Sequence, residues 1–248
     1  MFGKFFLLLR RLLRIGLRSP RDVQSILGIA LHEAGQIENP EVDVRRVPGV
    51  PIAELLPGGE PRVTTQFFFN VPASVSLLEA YALALLMKRV NARRVFEFGT
   101  YKGVSTTQLA LNLPPDGEIH TLDLPDAGPA PELTISRDYE RTIAAEGGKG
   151  VLVPEDLRPR VVFIRQDSAK FDPDPLASTF DLVFVDGAHS ADYVRNDSEK
   201  GWRLLRVGGV LVWHDFSPNH ADVVRYVLAC GLAPHRVENT TLAFAIKP

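Results

Sequence analysis

The chain of 248 residues is 45% hydrophobic and 23% charged, which is typical of a globular protein with one large domain or two small ones. Its 28 Lys and Arg residues stand against 30 Asp and Glu residues, so it lacks a basic surplus and we expect no nucleic acid as a partner. A lone cysteine, Cys230, excludes an intramolecular disulfide, and no run approaches the roughly 18 apolar residues that span a bilayer, which together favour a cytoplasmic protein.

Residues 1–18 predict an amphipathic helix. They carry five basic residues and no acidic one. At about 100° per residue, the phenylalanine and leucine side chains fill one side of the helical wheel and the basic side chains cluster on the other. We expect the apolar side to pack on the protein itself or on a second subunit, which would give a homodimer. The alternative is peripheral contact with the inner face of a membrane, since a basic face suits anionic lipid.

Residues 20–62 are rich in proline and carry no long periodic pattern. They predict a short helix at about Asp22–Ala34, followed by an irregular connector. We therefore divide the chain into an N-terminal helical appendage, residues 1–63, and a single domain, residues 64–248.

Within the domain, helical periodicity alternates with short apolar runs. A first helix is capped by Ser74 or Ser76. The strands that follow are predicted at Val95–Phe98, Glu118–Leu122, Val161–Arg165, Phe180–Val185 and Val210–Trp213, with two more in residues 234–247. The helices between them are predicted at Val104–Leu111, Ser136–Ala145, Ser190–Leu205 and Asn219–Ala229. This alternation predicts an α/β protein with a doubly wound, mostly parallel, Rossmann-like sheet of seven strands.

The helix that follows His189 is predicted to expose one polar face. Trp202 and Leu204 would form the side that packs on the core. The predicted solvated face consists of Tyr193, Arg195, Asp197, Glu199 and Lys200.

The first strand of the alternating region ends in a glycine loop. In such a sheet, ligands bind at the carboxyl ends of the strands. Gly99 and Gly103 let the chain turn tightly into a helix whose first amides are free. The loop lacks the Gly-x-Gly-x-x-Gly pattern that holds a pyrophosphate, and Glu97 would be poorly placed beside two phosphates. The acid instead suits a cationic amino group, unless the loop is merely a tight corner of the fold.

Asp123 ends the second strand, 24 residues beyond Gly99. A carboxylate at this place can accept both hydroxyls of a ribose, as does the acid about 20 residues beyond a dinucleotide-binding loop. The alternative is a solvated aspartate at a strand end, which is a common arrangement.

Two later strand ends carry residues suited to catalysis. Asp186 ends one strand, His189 follows three residues later, and Asp215 follows the next strand. Because adjacent parallel strands lie about 4.8 Å apart, Asp186 and Asp215 are expected to converge on one small site, where two carboxylates suit Mg²⁺ or another divalent cation. A histidine takes a hydroxyl proton readily near neutral pH. We therefore predict Asp186 and His189 as catalytic residues, and Asp186 and Asp215 as metal ligands.

The pattern Glu97-x-Gly99-x-x-x-Gly103 resembles motif I of the class I S-adenosylmethionine-dependent methyltransferases. Residues 184–215, with Val-Asp-Gly-Ala-His-Ser and Gly-Gly-Val-Leu-Val-Trp-His-Asp, resemble an O-methyltransferase subgroup that includes catechol-type and sugar- or antibiotic-tailoring enzymes. The resemblance covers about residues 64–247. It implies transfer of a methyl group from S-adenosylmethionine to a hydroxyl of a small molecule or sugar.

The resemblance also implies which residues hold the cofactor. In that family the glycine loop faces the methionine part, the acid at Asp123 faces the ribose, and the positions of Asp167 and Ser168 lie beside the adenine. The implied set is Glu97, Gly99, Thr100, Tyr101, Gly103, Ser105, Asp123, Asp167, Ser168 and Asp186.

The chain departs from the catechol-type enzymes at one point. Those enzymes carry an Asp-Asn pair after the last of these strands and a catalytic lysine near the position of His189, whereas this chain has His214-Asp215. The need for a metal therefore stays open, because His189 can also act as a base without one.

Two other functions use the same sheet. A nicotinamide-dependent oxidoreductase is disfavoured because the pyrophosphate-binding pattern is missing. A non-catalytic binding module, recruited to a membrane or partner through residues 1–18, would not need the acids at the strand ends.

Overall fold

The computed structural model describes residues 42–56, 58, 62–68 and 71–248. The predicted amphipathic helix at residues 1–18 and the short helix near residues 22–34 lie outside these described residues. Among the helices that are described, none combines the length and the apolar character that crossing a membrane requires.

The described residues form a sheet of eight strands, one more than predicted. Across the sheet the order is β1-β7-β8-β6-β5-β2-β3-β4, and the β6–β8 and β7–β8 pairs are antiparallel while the others are parallel. The strands are β1 Gly49–Val50, β2 Arg94–Phe98, β3 Glu118–Asp123, β4 Val161–Arg165, β5 Phe180–Val185, β6 Leu205–Trp213, β7 His235–Val237 and β8 Ala243–Ile246. The predicted doubly wound, mostly parallel architecture is confirmed.

Five α-helices accompany this sheet in the described part of the chain. The first begins at a capping box, in which Ser76 and Glu79 each accept a hydrogen bond from the backbone N–H of the other. The helices are α1 Leu77–Arg89, α2 Val104–Asn112, α3 Asp138–Ala145, α4 Ala191–Leu204 and α5 Ala221–Ala229. Each corresponds to a helix predicted from the sequence.

An apolar core covers each face of the sheet. Successive side chains of a strand point to opposite faces, so β2 and β5 contribute to both cores. One core joins Val95, Leu182 and Phe184 to the apolar sides of α1 and α2. The other joins Phe96, Phe98, Val183 and Trp213 to α4 and α5. Burial on both faces explains why these strands are nearly continuous apolar runs in the sequence.

Part of the predicted connector packs on the sheet. β1 pairs with β7 in a parallel register, and Leu55, just beyond β1, is fully buried. Residues 42–56 therefore contribute to the fold of the domain, although the boundary at residue 64 itself stays a prediction.

The sheet places a crevice between the carboxyl ends of β2 and β5. These strands are neighbours although β3 and β4 lie between them in the chain, so the direction of winding reverses here. The backbone N–H of Asp186 donates to the carbonyl of Phe98 at 2.9 Å. Gly99 has a φ of +93°, and a Cβ at this residue would lie 2.0 Å from the carbonyl oxygen of Asp186. A glycine is therefore required where β2 turns beside β5.

We expect Gly99→Ala to destabilise the protein more than an alanine at another glycine of similar backbone conformation. Gly231→Ala is the control, since Gly231 has a φ of +71° and no atom lies within 4 Å of the added Cβ. The control should lower the free energy of unfolding by about 1 kcal/mol, and Gly99→Ala by at least about 2 kcal/mol more, because backbone must also move apart. Urea unfolding measures both losses; equal losses would contradict the close approach.

Candidate active site

A cleft of about 1510 Å³ opens at the carboxyl ends of the parallel strands. The loops after β2 to β6 line it together with α3 and the first turns of α4. Glu97 and Gly103 do not contribute to this lining. The residues predicted to hold a cofactor that do line it are Gly99, Thr100, Tyr101, Ser105, Asp123, Asp167, Ser168 and Asp186.

Glu97 lies fully buried behind the glycine loop. Thr106 of α2 and Thr121 of β3 donate hydrogen bonds to its Oε2 at 2.5 and 2.6 Å. Burial raises the pKa of Glu97 to about 7, although these hydroxyls favour the charged form. Its contacts therefore tie α2 to β3 inside the fold, and the contact with a cationic amino group stays a prediction.

Asp123 holds the glycine loop through backbone amides. Its Oδ2 accepts hydrogen bonds from the N–H groups of Thr100 and Tyr101 at 3.0 and 2.7 Å. Its Oδ1 accepts one from the N–H of Leu124 at 2.7 Å. Burial raises the pKa of Asp123, against the effect of these amides. Because a carboxylate oxygen has two lone pairs, Oδ1 can still accept a hydroxyl from a ligand in the cleft.

Tyr193 and Asp197 are buried, so the prediction that they lie on a solvated face of α4 was wrong. The hydroxyl of Tyr193 donates to Oδ1 of Asp167 at 3.0 Å. On the same helix, the ammonium of Lys200 donates to the carbonyl of Ser168. Burial raises the pKa of Asp197 to about 6. This face of α4 is polar because it meets the polar loop after β4, and not because it meets water.

The register of β5 and β6 places Asp186 beside His214. Val185 pairs with Trp213, so the residues that follow on the two strands are neighbours. Nδ1 of His214 lies 2.9 Å from Oδ1 of Asp186 and 3.2 Å from Oδ2 of Asp215. Asp215 has a φ of +56°, a left-handed conformation that is uncommon for a residue other than glycine. The two predicted metal ligands thus meet at one imidazole.

His189 lies between two carboxylates. Its Nδ1 is hydrogen-bonded to Oε1 of Glu140 at 3.0 Å, and its Nε2 lies 2.8 Å from Oδ2 of Asp215. The ring of His220 is 4.4 Å from that of His189, centroid to centroid, and its Nδ1 lies 3.3 Å from Oδ1 of Asp215. Asp215 is therefore in contact with three imidazoles, counting His214.

These contacts raise the pKa values of two histidines and lower that of Asp215. Burial would lower the pKa of His189, but the carboxylates of Asp215 and Glu140 raise it to about 9. Burial would also lower the pKa of His214, yet Asp186 and Asp215 hold it well above its ordinary value. Burial would raise the pKa of Asp215, and the two imidazoles hold it well below its usual range. Burial lowers the pKa of His220 to about 4, so its ring is neutral near pH 7.

Three residues of this cluster were not predicted from the sequence: Glu79, Glu140 and His220. Glu79 lies in a Ser-x-x-Glu capping box, a pattern that explains it fully as a helix cap, yet its Oε2 is 3.5 Å from Nε2 of His214. Glu140 lies 49 residues before His189, and only the folding of α3 brings them together. His220 could have been predicted from the sequence, because it lies in the same short loop as Asp215.

Comparisons with known proteins agree with this geometry. A family model described as a methyltransferase domain matches residues 96–216. The caffeoyl-CoA O-methyltransferase of Pinus taeda is 29% identical over 175 residues, which cover 67% of this chain and 62% of that protein. Caffeoyl-CoA O-methyltransferase 1 of Arabidopsis thaliana is 29% identical over 173 residues, or 66% of this chain and 61% of the relative. The chain thus spans just under two thirds of the length of these relatives.

Solved structures share the fold at lower sequence identity. The Podospora anserina methyltransferase PaMTH1, solved with S-adenosylhomocysteine bound, superposes with a TM-score of 0.50 at 19% identity, over 73% of this chain and 83% of that one. A Staphylococcus aureus protein named as a candidate caffeoyl-CoA O-methyltransferase gives a TM-score of 0.52 at 18% identity, over 91% of this chain and 100% of that one. At these identities the likeness shows the fold alone.

The sheet order, the acid-and-glycine loop after β2 and the acids at the following strand ends define a Rossmann-like methyltransferase domain. The family model covers just under half of the chain. Together with the curated relatives, it supports the resemblance to class I S-adenosylmethionine-dependent O-methyltransferases that the motifs indicate.

Stability should depend on pH through Glu97. Its pKa is about 7 in the folded protein against 4.5 for a free side chain, so folding binds the proton more tightly. The stabilisation is complete below pH 4.5 and is lost as the pH rises through 7, by about 3 kcal/mol in all. Glu97→Gln cannot ionise and should lack this loss.

Urea unfolding at pH 5 and pH 8 checks this expectation. Glu97→Gln should gain stability relative to the wild type between the two pH values, while Glu155→Gln, at an exposed carboxylate, should not. A parallel pH dependence in the wild type and Glu97→Gln would show that Glu97 does not carry the effect.

Proposed function

We propose that the protein transfers the methyl group of S-adenosylmethionine to the oxygen of a hydroxyl on a small-molecule acceptor. The observation that carries this proposal is a single cleft in which the residues expected to hold the cofactor lie beside His189, Asp186 and Asp215. Methyl transfer from a sulfonium requires in-line placement of the acceptor oxygen and removal of one proton. The cleft offers groups for both tasks.

The side of the cleft between β2 and β4 would hold the cofactor. Asp123 offers Oδ1 to the ribose, while the loop from Gly99 to Ser105 offers backbone close to the methionine part. Asp167, held in place by the hydroxyl of Tyr193, would lie beside the adenine. The bound S-adenosylhomocysteine of PaMTH1, a protein with the same fold, supports this choice of cofactor.

The reaction would take place beside His189. The acceptor oxygen attacks the methyl carbon, the carbon–sulfur bond breaks with its electron pair left on sulfur, and S-adenosylhomocysteine leaves. The hydroxyl proton would pass to Nε2 of the neutral ring of His189, because Nδ1 is already hydrogen-bonded to Glu140. The pKa of His189 is about 9 and not near neutral as expected from the sequence, so only the small neutral fraction would act at pH 7 and the rate would rise with pH towards 9. Asp215, 2.8 Å from Nε2, would stabilise the imidazolium that forms.

A divalent cation, Mg²⁺ or another, would be held by Asp186 and Asp215. The residues present fit a cation: Nδ1 of the buried His214 lies within 3.2 Å of both carboxylates but makes no hydrogen bond of good geometry with a described residue. Buried polar atoms are normally satisfied, so Nδ1 suits a cation that takes its lone pair in exchange for the proton that the raised pKa of His214 indicates. When bound, a cation would supply positive charge that acidifies a hydroxyl acceptor and offsets the charge of Asp215.

The relatives suggest a class of acceptor to test. The names of the curated relatives refer to caffeoyl-CoA, a phenolic thioester, and this supports a phenolic hydroxyl as the first acceptor to test. Caffeoyl-CoA, a simple catechol and a sugar therefore form a reasonable first set of probes.

Asp123→Asn should weaken binding of S-adenosylhomocysteine at least about tenfold, or about 1.4 kcal/mol, because the amide loses an acceptor for both the ribose and the loop. Isothermal titration calorimetry on folded protein measures this, with Asp156→Asn, at an exposed carboxylate, as the matched control. Absence of binding to the wild type would overturn the proposed function and favour a binding module or an oxidoreductase.

His189→Ala should lower kcat for methyl transfer by about 100-fold or more while leaving the affinity for S-adenosylhomocysteine unchanged, because His189 acts on the acceptor proton. The measurement is formation of S-adenosylhomocysteine with the acceptor set above. His235→Ala, at an exposed histidine of β7, is the control. A variant with wild-type kcat would remove His189 from the mechanism.

A further inference from the structure

The two carboxylates proposed to hold a cation are separated by an imidazole. His214 follows β6 directly and is buried; its Nδ1 lies 2.9 Å from Oδ1 of Asp186 and 3.2 Å from Oδ2 of Asp215. One ligand atom from each of these three residues lies within 4.8 Å of the others. A cation that binds both carboxylates at this place would therefore also meet a nitrogen.

We propose that this site takes a transition-metal ion such as Zn²⁺ or Co²⁺ in preference to Mg²⁺, with His214 as its third ligand. The inference rests on the cation of the proposed function and names its chemical class. Mg²⁺ strongly prefers oxygen ligands and keeps much of its water, whereas imidazole nitrogen favours zinc and the later first-row metals. A set of one nitrogen and two carboxylate oxygens thus selects against Mg²⁺.

Glu79 places a carboxylate beside the second nitrogen of His214, the position from which a metal-binding histidine is usually supported. A ligating imidazole commonly donates its other N–H to a carboxylate, which fixes the ring and makes it a stronger ligand. Oε2 of Glu79 lies 3.5 Å from Nε2 of His214. Glu79 is itself fixed, because Oε1 accepts from the backbone N–H and the hydroxyl of Thr241 at 3.0 and 2.8 Å. Glu79 is therefore a positioning residue that leaves Nδ1 of His214 for the cation.

A second set of ligand atoms, from His189, Asp215 and His220, also lies within 4.8 Å. It shares Asp215 with the first set, but it offers one carboxylate instead of two. Two carboxylates balance the charge of a divalent cation in a buried place, and one does not. The proposal therefore commits to Asp186, His214 and Asp215, and leaves Nε2 of His189 for the acceptor proton.

The test is direct metal binding by the full chain after removal of metal with a chelator. Calorimetric titration with ZnCl₂ and with MgCl₂ should give a Zn²⁺ affinity at least about 100-fold above that for Mg²⁺. Titration with CoCl₂ should produce visible absorption bands that report nitrogen ligation. An affinity for Mg²⁺ equal to that for Zn²⁺, or no binding of any of the three ions, would overturn the proposal, and neither result depends on a variant.

Three variants identify the residues involved. His214→Asp should lower the Zn²⁺ affinity, raise the Mg²⁺ affinity and abolish the cobalt bands. Glu79→Gln, which keeps a side chain able to cap α1, should weaken Zn²⁺ binding about 10- to 100-fold. His220→Ala should leave Zn²⁺ binding unchanged; loss of binding in this variant with His214→Asp unaffected would move the cation to the second set. Titration of metal-free protein with S-adenosylhomocysteine tests the proposed function separately.

Discussion

Four carboxylates and three imidazoles share one largely buried corner of this protein, and burial of that many ionisable groups is tolerable only when opposite charges meet. Asp215 is the common contact: its two oxygens lie within 3.3 Å of nitrogens from His189, His214 and His220. Each imidazole of this corner accordingly contacts at least one carboxylate. The left-handed backbone of Asp215 is one local sign of this requirement, since such a conformation persists only where its surroundings enforce it.

Two of the four carboxylates in this corner, Glu79 and Glu140, belong to helices and not to the sheet. Glu79 belongs to α1 and is bonded to Thr241 near the start of β8, whereas Glu140 belongs to α3, which lines the cleft. Glu79 faces His214 and Glu140 faces His189, so each of these imidazoles has a carboxylate from a different helix beside it. Nδ1 of His214 contacts Asp186 and Asp215, the proposed cation ligands, while Nε2 of His189 lies beside Asp215.

The sequence predicted the parts of the site that strand ends determine, and missed those that tertiary packing determines. Asp123, Asp186 and Asp215 could be found because the carboxyl ends of parallel strands share one edge of the sheet. Glu140 could not be found, since its partner lies 49 residues away and no periodicity links them. Tyr193 and Asp197 were misassigned because a polar helix face is indistinguishable from a solvated one when the loop it meets is polar too. Apolar alternation gave seven strands correctly and could not reveal β1, a two-residue pairing set by β7.

The hydrogen bond between Glu140 and His189 joins α3, in the wall of the cleft, to the ring that is proposed to accept the proton. Glu140 is buried, and its other oxygen accepts from the backbone N–H of His189 at 3.3 Å. Without these two contacts the ring of His189 would be held by Asp215 alone. The orientation of the imidazole therefore depends on a helix of the cleft wall as well as on the sheet, so a ligand that shifts α3 also changes the position of the ring.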